Sequence, residues 1–568
     1  MTPPRIPFRT LLARRASRKD RPGGGVRIAK VAWPTLLLLL ACTTESTAED
    51  GGSGAGTGAS GAGAEGGGGG PQGGGPQGGG GAGGEGGGPV GNCMPGAMPI
   101  DDTCGVFVKM GGAPGAAGTQ NDPLGNLTSA IEDAAVLPAG RKNVYICDAF
   151  SAGTTISLPN GVSIFGQLDC DDWTWSAAAD RPLIRNSNNP AVPTVTVEGA
   201  STLYGLRIEA ADASGEDPGT SSIGVLVLDG GVLTVEQSEM SASTAAPGAL
   251  GGAPPASGNL NGSMGTSGEN AVCATPADTG NGGAGGPPKD CPGPDGLQSG
   301  KGGNGGDGSS GMTGGPAESG ESVGLATGGP AGSAQTLMPA QSCANGMPGG
   351  SGALGAAAPT TEFGTLDIDG YVIPVASEGG FGRPGAGGGG GGGGARCSSS
   401  VIGAGAGGGG GGGCGGAGGI SGRAAGASFG IALIGAAQVS LSSVSIVTSN
   451  GSTGGAGGAG EAGGNGGQPG TTGTGGGTSS ACNGGLGGAG GQGGGGAGGA
   501  GGLSAPIATT SELNVTIGAD VVLDAGTPGN GGTAGMPNGM AGPPGVACEG
   551  TEVLVLIAGA AVCETPPG

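Results

Sequence analysis

The stretch Ser222–Ser243, SIGVLVLDGGVLTVEQSEMSAS, returns without a gap as Ser428–Ser449, SFGIALIGAAQVSLSSVSIVTS. Ile223, Val225, Val227, Leu233 and Val235 fall on Phe429, Ile431, Leu433, Val439 and Leu441. Apolar residues at alternate positions are what a half-buried strand requires, because successive side chains leave opposite faces. Each copy therefore reads as a pair of short strands. Only Ser222/Ser428, Gly224/Gly430 and Ser243/Ser449 are identical, so the repeat is one of pattern, as between rungs of one stack. If the copies are rungs, residues 246–427 must leave the stack and return to it. Residues 450–502 do the same after the second copy, from the same place in the repeat.

Other short apolar runs divided by Gly, Asn, Asp and Pro extend the series. A strand is expected in Cys104–Met110, then Asn143–Cys147, Ile156–Leu158, Val162–Phe165, Thr194–Val197 and Leu203–Ile208. Later come Leu513–Ile517 with Val521–Leu523, and last Val553–Ile557. Between the first two runs, Leu127, Ile131 and Ala135 are spaced by four, with Ala130 and Ala134 beside them. That spacing predicts a short helix with one apolar face, able to cap the end of a sheet stack.

Glycine supplies 151 of the 568 residues. It loses more backbone entropy on ordering than any other residue and offers no side chain to bury. The apolar residues accordingly point to one interrupted core outside the glycine tracts. Within the tracts glycine often recurs every third residue, as at 451, 454, 457, 460, 463 and 466, and from 484 to 502 without a break. Three residues per turn is the period of an extended polyglycine or polyproline helix. The tracts thus read as loops without fixed structure or as packed polyglycine-type helices, the loop reading being ahead. On that reading Gly251–Gly419 could be excised and the rungs on either side would still meet.

The amino end reads as an address. A basic stretch ends at Lys30, Val31–Leu40 is an apolar run, and Ala41 precedes Cys42. The run is shorter than the roughly 20 residues a membrane-spanning helix needs, so a cleaved signal peptide is expected. Leu39-Leu40-Ala41-Cys42 resembles the bacterial lipobox, which implies lipidation of Cys42 and a lipid anchor in the outer membrane or at the cell surface. The long basic region also allows Val26 as the start. Residues 43–92 are a Gly-rich linker with units such as PQGGGPQGGG, a composition that makes a flexible tether.

Residues 1–42 hold nine Lys and Arg and one acid, Asp20, leaving 11 basic and 41 acidic residues and a net charge of −30 for the remainder. Nucleic acid is disfavoured as a partner, because phosphate binding needs clustered Lys and Arg. Twelve cysteines remain after Cys42, an even number suited to disulfides in an exported chain. Near neighbours are the expected pairs: Cys93 with Cys104, Cys147 with Cys170, Cys273 with Cys291, Cys397 with Cys414 and Cys548 with Cys563. Cys343 and Cys482 are left for each other. The chain has no histidine, which removes Ser-His-Asp and Cys-His catalysis and weakens any zinc reading.

Carboxylates remain. Asp169, Asp171 and Asp172 form the densest acidic group, readable as a calcium or acid/base site or as a solvated turn beside a disulfide, the turn being the expected outcome. Arg181, Arg185 and Arg207 are the only basic residues between 143 and 245 that could face an acidic polysaccharide. Residues 302–310 nearly fit a calcium-binding nonapeptide, but Ser309 stands where a large apolar residue should pack. The many GxGxxG matches carry no weight in tracts this rich in glycine.

Gly118-Thr119, Pro123, Leu127, Ala130-Ile131, Val144-Tyr145-Ile146 and Leu203–Ile208 resemble the amino-terminal part of right-handed parallel β-helix proteins of the pectate-lyase-like superfamily. With the lipobox, the linker, Gly161–Cys170 and the glycine tracts, the chain is similar to glycine-rich PGRS-family surface proteins of myxobacteria. The expected fold is all-β, a right-handed parallel β-helix with a cap helix. Its parts are a signal peptide (1–42), a linker (43–92), rungs and cap (93–245), an insertion (246–427), a rung pair (428–449), a second insertion (450–502), and closing rungs (503–568). The expected role is a surface-anchored structural or interaction protein without a catalytic residue or a cofactor. Extracellular polysaccharide or other surface proteins are the expected partners. The alternative is a carbohydrate-binding or polysaccharide-degrading β-helix protein, which the resemblance also implies, with calcium as its cofactor.

Overall fold

A computed structural model describes residues 93–96 and 100–567, apart from 114, 187–188, 190, 272, 274–279, 399–400 and 512–513. The signal-like segment, Cys42 and the linker lie outside the described residues. The described chain is almost entirely β, with one α-helix.

The two copies of the repeat lie side by side. Ser222 pairs with Ser428, Ile223 with Phe429, Val225 with Ile431 and Val227 with Leu433, all parallel. Leu233 and Val235 pair with Val439 and Leu441. Each copy also holds a third strand that the alternation did not single out, Glu239–Ala242 and Ser445–Thr448. The chain therefore visits three sheets in turn. Ser222–Val227 and Ser428–Leu433 belong to the second sheet, Val232–Glu236 and Gln438–Ser442 to the first, and the added strands to the third. Every pairing within these sheets is parallel except the last, where Ala560–Glu564 folds back on Val553–Ile557.

Sequence and structure differ in the third sheet. Phe150–Ala152 and Leu183–Asn186 are strands there that were not expected, and Leu203–Ile208 is broken at Gly205 into Ala200–Tyr204 and Arg207–Glu209. The break is a corner. Gln167, Gly205, Gln237 and Ser443 follow successive first-sheet strands, and all have φ between 49° and 64°. At Gly205, Gln237 and Ser443 this left-handed bend turns the chain into the third sheet within two residues, too short a signal to read from hydrophobic pattern; after Gln167 the chain reaches that sheet at Leu183.

Between the sheets runs one core, including Val144, Ile164, Leu203, Val225, Leu233, Met240, Ile431, Leu441 and Ile446. The helix Leu127–Ala135 covers its amino end, with Leu127, Ala130, Ile131 and Ala134 buried. The Asn126 side chain caps that helix by accepting from Ser129 N–H at 3.0 Å. The second sheet is apolar on both faces, as parallel strands covered on both sides are. Its outer residues Ile223, Leu226, Phe429, Ala432 and Leu554 meet a hairpin of Thr365–Asp367 and Gly370–Val372. Tyr371 of that hairpin stands edge-on to Phe429 at 5.7 Å.

The glycine tracts are packed and ordered, which corrects the loop reading. Extended segments run side by side, with no hydrogen bond inside any one of them and one to a neighbour at every third residue. Segments 379–394, 403–426 and 482–502 are the inner ones. The middle of these is enclosed on all sides. Gly407, Gly410 and Gly413 donate to 482–502, Gly408 and Gly411 to 244–271, and Gly409 and Gly412 to 300–309, at 2.8–3.0 Å. In return 280–287, 379–394 and 451–474 donate to it. Backbones this close leave no room for a β-carbon, which at Gly407, Gly408, Gly409 and Gly410 would lie under 3.0 Å from a neighbouring carbonyl oxygen. That is the reason Gly407–Gly413 is an unbroken glycine run. The outer segments carry the other residue types, whose side chains replace a missing neighbour. Asn304 Oδ1 accepts from Gly285 N–H at 2.9 Å, and Asp307 Oδ1 from Gly282 N–H at 2.7 Å.

Bundle and sheet are continuous. The parallel pairing of 403–426 with 482–502 continues as Ser428–Leu433 with Ser504–Thr509. Excising Gly251–Gly419 would therefore remove one inner segment and most of another, and the loop reading of that stretch does not hold.

Four expected disulfides are present: Cys93–Cys104, Cys147–Cys170, Cys343–Cys482 and Cys548–Cys563. Two are not. Cys273 pairs with Cys397 and Cys291 with Cys414, in place of the local partners Cys291 and Cys414 expected for Cys273 and Cys397. The cause is register. Gly283 and Gly286 donate to Ala406 and Gly409, an offset of 123 that carries Cys291 onto Cys414. Peptide mapping of the unreduced protein is expected to return these two long-range bonds; recovery of a Cys273–Cys291 peptide pair would overturn the register. Gly410→Ala is expected to destabilise the protein by about 2 kcal/mol or more in denaturant titration, as overpacking does. Gly215→Ala, where a β-carbon meets nothing within 4 Å, should stay within about 0.5 kcal/mol of the parent.

Candidate functional site

The acidic group 169–172 is a turn. Asp169 Oδ1 accepts from Asp171 N–H at 2.8 Å, and Asp172 Oδ1 accepts from the Thr174 N–H and hydroxyl at 3.0 and 2.7 Å. The Thr174 hydroxyl and N–H hold the Asp172 carboxyl below the ordinary aspartate range. Asp171 reaches Lys109 at 3.9 Å. The turn puts Trp173, at φ 57°, into an aromatic column on the outer face of the first sheet. There Phe107, Tyr145 and Phe165 stack at 5.0 and 5.5 Å, and Trp173 stands edge-on to Phe107 at 4.9 Å. The three carboxylates do not converge. Among the described residues, the group whose donor atoms lie within 4.8 Å of one another is Cys147, Asp148 and Cys170, and the disulfide uses both sulfurs.

The arginines fare differently. Arg185 and Arg207 lie on adjacent strands of the third sheet, next to Glu209 and Glu239. Arg207 forms an ion pair with Glu209, and Arg181 with Glu239. Positive and negative charges so interleaved stabilise the exposed face and leave no basic stripe for a polyanion.

The glycine bundle carries a concave apolar feature. A groove of about 830 Å³ is lined by Leu297, Val323, Leu325, Leu354, Phe381 and Pro384 among others. A second hollow of about 320 Å³, walled by Pro254, Pro255, Pro292 and Ile420, shares Glu378 and Phe381 with it. Leu325 is 94 % exposed and Leu354 55 %, so the groove wall is an apolar surface left uncovered by the described residues. An Arg383–Asp295 pair at 3.0 Å stands at the rim. The groove was missed in the sequence, where its signal is the few large apolar and proline residues scattered through tracts otherwise made of glycine.

Its origin is a difference in segment length. Segment 314–321 turns back into 329–335 at Val323 and Ala326, whose N–H and C=O groups bond reciprocally at 2.9 Å. The two segments flanking this hairpin, 344–358 and 379–394, run on past it. Ala344, Met347 and Gly350 donate to the hairpin; Ala353 and Ala356, next in that series of three, donate to nothing among the described residues. Gly393, Gly390 and Gly387 donate to the hairpin from the other side. The series continues to Pro384, which has no N–H, and to Phe381, whose N–H donates to nothing among the described residues.

Beside the second hollow, Glu461 holds the bundle together. It accepts from Ser257 N–H at 2.9 Å, from the Ser257 hydroxyl at 2.5 Å and from Ala417 N–H at 3.1 Å. Burial works against its charge, but these three donors outweigh it and hold the carboxyl below the ordinary glutamate range.

No helix among the described residues is long and apolar enough to cross a membrane. No protein family, no curated protein and no solved structure matches the chain.

The low carboxyl of Glu461 gives a signed pH dependence. Its contribution is complete above the unfolded value of about 4.3 and is lost as the pH falls through the lower folded-state value. Glu461→Gln is expected to melt a few degrees below the parent at pH 7, and the gap should close near pH 3. An equal gap at both values would show that the charge contributes nothing.

Proposed function

We propose that this chain is a surface-anchored structural or interaction protein, in which a right-handed parallel β-helix carries a rigid glycine bundle away from the membrane. The three-sheet course of the chain, with left-handed corners stacked in register, supports the β-helix reading. The observation that carries the function is the apolar groove on an ordered, cross-linked bundle. Three long-range disulfides lock that bundle, and Leu325 and Leu354 on it are left exposed by the described residues. A rigid surface of this kind suits recognition, since little ordering entropy is lost on binding. On this reading Cys42 is the lipidated first residue of the mature protein, the linker is a tether, and the protein is of the glycine-rich PGRS type.

Cys42→Ser is expected to move the protein from the membrane fraction to the soluble one. A mutant that still partitions fully with membranes would overturn the anchor.

A further inference from the structure

We infer that the groove beside Leu325 binds an extended glycine- and proline-rich peptide segment as one more three-fold helix of the bundle. The inference deepens the interaction role proposed above by naming the class of partner.

The groove continues the place that the hairpin of 314–321 and 329–335 occupies further along the same two walls. Along the hairpin, 344–350 and 387–393 each give one N–H every third residue to it. Beyond the hairpin tip the walls keep their spacing. Ala353 and Ala356 present N–H groups from one side and Phe381 presents one from the other, none of them bonded among the described residues, and all three line the groove. In an extended helix of three residues per turn and about 3.1 Å rise, donors of this kind recur about every 9 Å, the repeat at which a peptide of the same helix offers carbonyls. A β-strand has a two-residue repeat and an α-helix has no free carbonyls along its length, so neither fits.

The walls set the composition. Next to 344–358 the occupant must approach backbone to backbone, as the hairpin does where a β-carbon at Gly329 or Gly332 would lie under 3.0 Å from the carbonyl oxygen of Met347 or Ala344, and that requires glycine at such positions. Towards Leu325, Leu354 and Phe381 the walls are apolar, which suits proline. Proline also holds the extended helix before binding, so less entropy is lost. Arg383 is already paired with Asp295, so an anionic peptide gains nothing from it.

The test uses the full chain and fluorescein-labelled (Gly-Gly-Pro)4, read by fluorescence polarisation, with an alanine-rich helical peptide as control. Saturable binding is expected for the first peptide only. Ala353→Pro and Ala356→Pro each delete one free N–H without breaking an internal bond, and proline suits an extended backbone. Each should weaken binding about tenfold, the double variant more, with the thermal midpoint unchanged. No saturable binding up to millimolar peptide, equal binding of the helical control, or undiminished binding by the folded double variant would each overturn the inference. Membrane release by Cys42→Ser reads the anchor separately, so either idea can fail alone.

Discussion

The structure depends on hydrogen bonds between backbones that have no side chains to keep them apart. A glycine segment has almost nothing to bury, and its ordering costs more entropy per residue than that of any other. What offsets that cost is lateral: in the inner segments, N–H groups reach one neighbour after another with a period of three, and each is shielded from water by the segments around it. A hydrogen bond contributes about 1 kcal/mol net, and an unmet buried donor costs as much or more. The bundle therefore holds as a set. Removing one inner segment would orphan donors and acceptors on every segment around it.

Two further devices make this tolerable. Polar side chains at the outer segments close the backbone groups that have no neighbour, as Asn304, Asp307 and Glu461 do. The disulfides bridge separations of 123, 124 and 139 residues. A bond closing a loop of about 100 residues removes about 4.7 kcal/mol of unfolded-state entropy in the chain-entropy model, against about 3 for one of 15 residues. The exchange of partners between Cys273, Cys291, Cys397 and Cys414 thus concerns more than connectivity. Long-range bonds act where the side-chain core is thinnest.

Much of the stack was legible from sequence, for a physical reason. Ile223, Val225, Val227, Leu233 and Val235 alternate because one face of each strand meets a core, and neighbouring turns need the same faces. Their sequence alignment with Phe429–Leu441 is also their hydrogen-bonded register. The helix Leu127–Ala135 was legible from its spacing of four. What escaped was set by backbone geometry. Glu239–Ala242 and Phe150–Ala152 are short strands on an exposed sheet, and the corners at Gln167 and Gln237 need a left-handed residue that no hydrophobic pattern announces. The glycine period was visible, but whether such segments pack depends on neighbours far along the chain. The groove depends on the length of one hairpin relative to its flanks. Asp169, Asp171 and Asp172 looked like a site because they are close in sequence; Asp169 and Asp172 serve the turn that delivers Trp173, and Asp171 reaches out to Lys109.

The continuity of bundle and sheet bears on how the chain assembles. Ser222–Val227 is laid down early, but the strand that covers its free edge arrives 206 residues later. Between the two pass 280–309 and 314–358, whose inner partners 379–394 and 403–426 have not yet been made. Contacts of such separation form slowly, and an uncovered parallel edge is open to other chains in the meantime. The amino-terminal turns, capped by their helix and closed by Cys93–Cys104 and Cys147–Cys170, draw their partners from chain already made before that wait begins. They are the template on which the remainder is laid, and the order of synthesis becomes the order of building.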